Sequence, residues 1–160
     1  MTTPEERLAE LGLELPQIAK PVASYLPAVR TGNYVYTSGQ LPSVAGDLVA
    51  VGKVGTGTGS SVSPETANGA ARVCALNALA AVRGLVGELS SVVRVVKVVG
   101  FVASAADFTG QSGVVNGASD LLAEVFGPAV GAHARSAVGV AALPLDAPVE
   151  VELVVEVTGV

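Results

Sequence analysis

One arginine stands at the head of a long apolar run, "HARSAVGVAALPLDAPVEVELVVEV" at residues 133–157, and a glutamate follows it fifteen residues later. The guanidinium of Arg135 is planar and always charged, so it can hold a carboxylate through two parallel hydrogen bonds. The carboxyl group of Glu150 can move protons, above all where burial raises its pKa. The pair therefore suits either the binding and conversion of an acidic guest or a salt bridge within or between chains.

The alternation of the last strand separates its carboxylates from its core residues. Glu150 falls on the opposite face from Val149 and Val151, and Glu152 and Glu156 share its side. We interpret Glu152 and Glu156 as edge or subunit-contact charges.

The only histidine and the only cysteine are weaker candidates for a catalytic role than Arg135 and Glu150. His133 lies two residues before Arg135 and would share its face if the strand starts that early, which permits a general base or a loop or interface residue. Cys74 lies in the apolar helical pattern "ARVCALNAL" and is expected to be a small buried hydrophobe. Because the two are far apart in sequence, no structural zinc site is expected.

The totals exclude several classes of function. With 9 basic and 14 acidic residues in 160, the formal net charge is −5, which disfavours binding to a phosphate backbone. The glycine-rich segment 46–63 lacks the residue order of a phosphate-binding loop and fits a strand edge followed by a loop. The N-terminus lacks the apolar core of a signal peptide, and no run of about 18 uninterrupted apolar residues suggests a membrane span. We expect a cytoplasmic protein without nucleic-acid or membrane partners.

The chain alternates strand and helix patterns. A capping box at Thr3 to Glu6 starts a short helix that Gly12 can end, and an extended, proline-containing arm follows it. The remaining predicted elements are a hairpin around Gly32-Asn33, a helix from Ser63 to about Glu88, a strand at 92–102, a glycine-broken loop from Asp107 that becomes a helix ending at Gly127-Pro128, and strands at 134–143 and 148–158. The pattern predicts a mixed sheet with two main helices.

Two helices can cover only one face of such a sheet. Strand 92–102 is nevertheless apolar on both faces. The second face therefore needs another cover, for which association with further copies of the chain is the economical solution.

The blocks "YTSGQLP" and "ARSAVGVAALPLDAPVEVE" resemble the RidA/YjgF family of reactive-intermediate deaminases, once described as endoribonuclease L-PSP, and the chain looks like a divergent subgroup. The resemblance covers about residues 20–158 and implies an α+β, chorismate-mutase-like fold with two helices on one face, assembled as a homotrimer. It divides the chain into an N-terminal helix and arm, 1–20, and a single domain, 21–160. It implies hydrolysis of enamines and imines such as 2-aminoacrylate to 2-keto acids and ammonia, in clefts between subunits and without a cofactor.

The same resemblance assigns roles to individual residues. It implies that Arg135, Glu150 and Tyr25 are catalytic, with Arg135 also binding the substrate carboxylate. The further substrate-binding positions that it implies are Ser38, Asn116 and Ala137. Ala137 stands where many relatives have cysteine, so no reactive thiol can act there. For the other residues plain structural roles stay open: packing of the arm for Tyr25, a backbone hydrogen bond for Ser38, a helix cap or turn for Asn116.

Two other functions fit the same residues. The cleft could bind a small carboxylate metabolite for regulation without hydrolysing it, since the arm and the 109–116 loop diverge from the family. Ribonuclease activity, attributed to some members, is disfavoured by the acidic balance and the lone histidine.

Overall fold

The N-terminal hairpin forms one edge of the main sheet. In the computed structural model, which describes residues 2–18 and 24–159, strand β1 runs Ala28–Thr31 and β2 runs Tyr34–Thr37. Gly32 turns the chain with a φ of 55°, a left-handed conformation that glycine adopts without a Cβ clash. Thr31 pairs with Tyr34, which confirms the predicted two-residue turn.

The main sheet contains five strands in the order β1-β2-β7-β5-β6. β5 spans Val92–Ala103, β6 spans Ala134–Val140 and β7 spans Val149–Val157. All neighbours are antiparallel except β5 and β6, whose parallel pairing needs the helical crossover between them. A separate short hairpin joins β3, Ser43–Val44, to β4, Asp47–Leu48. The predicted mixed α+β sheet is thus confirmed.

Helix α2, Pro64–Val86, is the central helix of the core. The Ser63 hydroxyl accepts the Thr66 N–H at 3.1 Å and caps the helix where the sequence predicts. Gly87, with a φ of 89°, ends it. Its buried positions, mostly alanine, let the helix lie close to the sheet: Ala67, Ala70, Ala71, Cys74, Ala75, Ala78, Leu79, Ala80, Ala81 and Val82.

By length and composition, α2 is the one helix within residues 2–18 and 24–159 that could cross a membrane. The helix contains no uninterrupted apolar run of this length, because polar residues such as Arg72 and Asn77 lie within it. Those residues bind other parts of the fold: Arg72 pairs with Glu124 at 2.6 Å, and the Asn77 amide donates to the Leu41 carbonyl at 2.9 Å. With its apolar side packed on the sheet, α2 is placed as a core helix.

Helix α3, Gln111–Val130, starts earlier than the sequence suggests. The predicted loop at 109–116 is wrong from Gln111 onward, because Gly113 and Gly117 lie inside the helix. A Cβ on Gly117 would overlap the Asn68 carbonyl oxygen of α2, so glycine there permits the close approach of the two helices. The sequence predicts that the helix ends at Gly127-Pro128; the φ of 77° and ψ of 170° of Gly127 do interrupt it there, but a further helical turn continues to Val130.

Helices α2 and α3 cover one face of the sheet, as predicted, and leave the other uncovered. The short helix α1, Pro4–Glu10, packs at their end with Leu8 buried. Its Glu5 carboxylate accepts the Leu89 N–H at 2.6 Å. The predicted capping box is present, because Thr3 and Glu6 exchange both hydrogen bonds. Residues 19–23 of the predicted arm lie outside the described residues.

Candidate active site

Arg135 lies on β6 beneath helix α3. It pairs in register with the buried Val98, which puts its side chain on the helix-covered face. Its Nη1 donates to Asn116 Oδ1 at 2.8 Å and to Ser119 Oγ at 3.1 Å. Its Nη2 donates to the Ser112 carbonyl at 3.3 Å. The predicted Arg135 and Asn116 are therefore brought together.

Helix α3 receives the guanidinium through two side chains, those of Asn116 and Ser119, and through the backbone carbonyl of Ser112. Ser112, Asn116 and Ser119 are four and three residues apart, so they share one face of the helix. Ser112 and Ser119 are not among the residues predicted from the sequence; the available signal for Ser119 was its spacing of three residues from Asn116 on one helix face. Ala137, two residues after Arg135, falls on the same face of β6 and pairs with Gly100.

The charge of Arg135 has no carboxylate partner among the described residues of its own chain. Within residues 2–18 and 24–159 the ion pairs closer than 4.0 Å are Arg7–Glu10 and Arg72–Glu124. A salt bridge with Glu150 in the same chain is thus excluded. The guanidinium is oriented by neutral oxygens and keeps its capacity for an anion.

Glu150 lies on β7 at the uncovered side of the sheet. Its neighbours Val149 and Val151 are fully buried against the helices, so the alternation predicted for this strand is confirmed. Burial raises the pKa of the half-buried Glu150 carboxyl, and the nearby charge of Glu152 raises it further. Glu150 therefore stays protonated to a higher pH than an exposed glutamate, which suits proton transfer.

Gly39 provides the space that the Glu150 carboxylate occupies. A Cβ on Gly39 would overlap Oε1 of Glu150. We expect Gly39→Ala to displace this carboxylate and to lower kcat for the reaction proposed below by about 10-fold or more, while the fold survives because a side chain can move aside. Steady-state kinetics and thermal melts test this. The matched control is Gly69→Ala on α2, where a Cβ meets nothing within 4 Å; equal kinetics for the two variants would contradict the expectation.

The raised pKa of Glu150 also predicts a pH dependence of stability. At a pH below 4.5, the ordinary pKa of a glutamate, the carboxyl is protonated in both the folded and the unfolded chain. Its favourable contribution to the free energy of unfolding is then complete. That contribution is lost as the pH rises through the raised folded-state value, since the half-buried group must then become charged. We expect Glu150→Gln to melt above wild type at neutral pH, with the difference vanishing towards pH 4.5.

The control for this measurement is Glu14→Gln, which removes the same charge from an exposed position. Melts by circular dichroism across the pH range give the comparison. A constant difference between Glu150→Gln and wild type at every pH would contradict the linkage.

Two further predicted residues are related to Glu150 through Gly39: Ser38 precedes it in sequence, and Tyr25 lines the same cleft. The Ser38 hydroxyl donates to the Leu26 carbonyl at 2.6 Å, which is the backbone bond considered as its structural role, and its lone pairs remain available to a guest. Tyr25 is 49% exposed. It lines a cleft of about 810 Å³ together with Gly39, Gln40 and Asn77. Gly39 thus links Tyr25, Ser38 and Glu150, which we call the Glu150 cluster.

Two clusters of candidate residues therefore exist in one chain, and they do not meet. The Arg135 cluster lies on the helix-covered face, whereas Glu150 projects from the other face of the same sheet. Since side chains on opposite faces of a sheet are separated by its backbone, a single chain does not place Arg135 and Glu150 around one small guest.

The remaining candidates are placed clearly. His133 precedes β6 and bonds to Ser119, so it lies on the side of Arg135. Cys74 is fully buried with a raised pKa, chiefly from burial, which confirms it as a structural residue. No group of three or more His, Cys, Asp or Glu side chains in the described residues could hold a metal ion.

Comparison with known proteins places this geometry in a family. Protein TCP17 of Trypanosoma cruzi is 46% identical over 150 residues, 93% of this chain and 91% of that protein. Among solved structures, Atu1372 of Agrobacterium tumefaciens, a protein of unknown function, is 44% identical with a TM-score of 0.84, over 97% of this chain and 92% of that one. A Shewanella oneidensis protein described as a "putative endoribonuclease" is 34% identical with a TM-score of 0.90, over 97% and 99%.

The protein family described as "YjgF/chorismate_mutase-like, putative endoribonuclease" matches residues 5–157. The mixed sheet with helices on one face agrees with this fold. The chain belongs to the YjgF/chorismate mutase-like family, the RidA/YjgF family to which its sequence motifs point.

Proposed function

We propose that this protein hydrolyses small enamines and imines that carry a carboxylate, such as 2-aminoacrylate, to 2-keto acids and ammonia. The observation that carries the proposal is the state of Arg135: a fixed guanidinium, oriented by neutral oxygens, without a carboxylate of its own chain within 4.0 Å in the described residues. A guest carboxylate supplies the missing anion.

The site is completed between subunits of a homotrimer. The uncovered face of the sheet carries apolar and aromatic side chains that water contacts in the single chain: Val29, Tyr34, Tyr36, Val99, Phe101, Val138 and Val154. Further copies of the chain cover this face and bring the Glu150 cluster of one subunit opposite the Arg135 cluster of another. The separation of Arg135 and Glu150 within one chain supports this arrangement.

The two clusters divide the reaction. Arg135 holds the carboxylate, and protonated Glu150 gives its proton to the enamine carbon, which forms the iminium. Water then attacks the iminium carbon while the Glu150 carboxylate takes a proton from it. Glu150 returns that proton to the amine, the carbon–nitrogen bond breaks and ammonia leaves. The hydroxyl of the intermediate gives its proton to the Glu150 carboxylate as the carbonyl forms, which regenerates the protonated acid. Tyr25 walls the cleft and donates to a substrate oxygen or to the water.

A regulatory role is the second candidate, because the same cation would bind a keto acid without any hydrolysis. This role is favoured by the hydrogen bond that the Ser38 hydroxyl donates to the backbone, because that hydroxyl then has no free proton to give during hydrolysis. A third candidate function is RNA cleavage, because the family and the Shewanella relative are both described as putative endoribonucleases. The net charge of −5 argues against RNA as the substrate.

A trapping assay distinguishes these functions. A dehydratase or an amino-acid oxidase generates the enamine or imine, and semicarbazide traps it as a chromophore. Wild-type protein is expected to lower the rate of semicarbazone formation. If it does not, yet calorimetry shows keto-acid binding, the protein is a binding module. Cleavage of single-stranded RNA by wild type would instead favour the endoribonuclease description.

A further inference from the structure

A continuous hydrogen-bond chain runs from Arg135 into the interior of the fold. His133 Nδ1 lies 2.6 Å from the Gly131 carbonyl oxygen, and His133 Nε2 lies 2.9 Å from Ser119 Oγ. A carbonyl oxygen only accepts, so Nδ1 carries a proton, and Nε2 of the neutral ring is then an acceptor. The Ser119 hydroxyl therefore donates to Nε2, and its oxygen accepts from Arg135 Nη1 at 3.1 Å.

The histidine fixes a hydroxyl that would otherwise be free to turn. A serine inside a helix can donate to the carbonyl four residues earlier, which is that of Val115 for Ser119. The bond to His133 competes with that alternative and turns a lone pair of Ser119 towards Arg135. With the guanidinium donating to its oxygen, Ser119 is a poor nucleophile, so the pair has no features of a serine–histidine catalytic dyad.

The donors of Arg135 can be counted. A guanidinium has five N–H groups. Both Nη1 protons are committed, to Asn116 and Ser119, and one Nη2 proton is committed to the Ser112 carbonyl. One Nη2 proton and the Nε proton have no acceptor among residues 2–18 and 24–159, and two is the number of donors that one carboxylate accepts in a bidentate pair.

We propose that Ser119 and His133 are positioning residues for Arg135: the imidazole orients the Ser119 hydroxyl, and the hydroxyl locks the guanidinium with two donors presented to a guest carboxylate. This rests on the proposed function and goes beyond it, since neither residue touches the guest. It predicts that both side chains act on carboxylate affinity and that His133 acts only through Ser119.

A double-mutant cycle tests the proposal in the full-length protein. Calorimetry gives the Kd of pyruvate, and kinetics give KM and kcat for 2-aminoacrylate. Ser119→Ala is expected to weaken pyruvate binding about 10-fold and to raise KM similarly, with kcat within about 2-fold of wild type. The double variant Ser119→Ala/His133→Asn should bind no more weakly than Ser119→Ala alone.

Two substitutions of His133 serve as a matched pair. In His133→Gln the amide oxygen replaces Nε2 as the acceptor of the Ser119 proton, so affinity for pyruvate should be largely kept. In His133→Asn only the donor to Gly131 is replaced, so affinity should fall several-fold. Both variants keep a polar side chain of similar size, and their melting temperatures report whether folding is intact.

The results of these measurements test the positioning role and the proposed function separately. Equal affinities for His133→Gln and His133→Asn, additive losses in the double variant, or effects confined to kcat would overturn the positioning role. If Arg135→Ala also leaves pyruvate affinity unchanged, the proposed function itself fails. If Arg135→Ala abolishes binding while Ser119→Ala does not weaken it, only the positioning role is wrong.

Discussion

Arg135→Ala is expected to lower kcat/KM for 2-aminoacrylate hydrolysis by at least about 100-fold, because a desolvated charge pair is lost. Arg135→Lys should lose nearly as much, since an ammonium offers a point charge and cannot reproduce the planar pair of donors. It would also leave the acceptors at Asn116 and Ser119 poorly matched. The semicarbazide assay, run over a range of substrate supply, measures both variants.

The control for this result is Arg83→Ala, which removes the same charge from an exposed position at the end of α2. It should be as active as wild type, which separates the loss of the anion contact from the change in net charge. Full retention of activity in Arg135→Lys would contradict bidentate capture. Loss of the assembly in Arg135→Ala would instead point to a structural role.

Mixing two inactive variants is expected to restore activity. Arg135→Ala keeps Glu150, and Glu150→Gln keeps Arg135, so a cleft shared between them can hold both native side chains. After unfolding and joint refolding of equal amounts, about one cleft in four is complete, and about a quarter of wild-type activity should return. Light scattering should show a trimer of the 15.8 kDa chain in every sample.

A second mixture makes the experiment decisive. An equal mixture of wild type and the double variant Arg135→Ala/Glu150→Gln, refolded together, should also have about a quarter of the activity of the same total amount of wild-type chain if each cleft draws on two chains. If each site lay within one chain, the first mixture would stay inactive and the second would keep about half. The two mixtures therefore distinguish a shared site from a self-contained one without any structural assumption.

The sequence predicted the elements that local chemistry determines. Capping residues placed α1 and the start of α2, and Gly32-Asn33 placed the first turn. Strict alternation placed Glu150 opposite the buried valines of β7. Each of these features depends on residues only a few positions apart, so a single sequence contains the information.

Prediction from the sequence was wrong or incomplete where contacts between distant segments determine the structure. Gly113 and Gly117 each disfavour a helix by about 1 kcal/mol relative to alanine, which favoured a loop. The close packing of Gly117 on Asn68 outweighs that preference, and it is invisible in the local pattern. Ser119 was not predicted for the same reason: only the fold shows that its helix face contacts Arg135 and His133.

The placement of α2 has a consequence for how the chain is made. This helix leaves the ribosome before α3 and the strands β5, β6 and β7, and its buried side is covered by α3 and, on the sheet, chiefly by β7, the last strand. An apolar helix long enough to cross a bilayer is thus exposed until synthesis is nearly complete. Completion of the core must therefore wait for the C-terminal strand, and until then the incomplete chain leaves apolar surface exposed, a condition that favours aggregation.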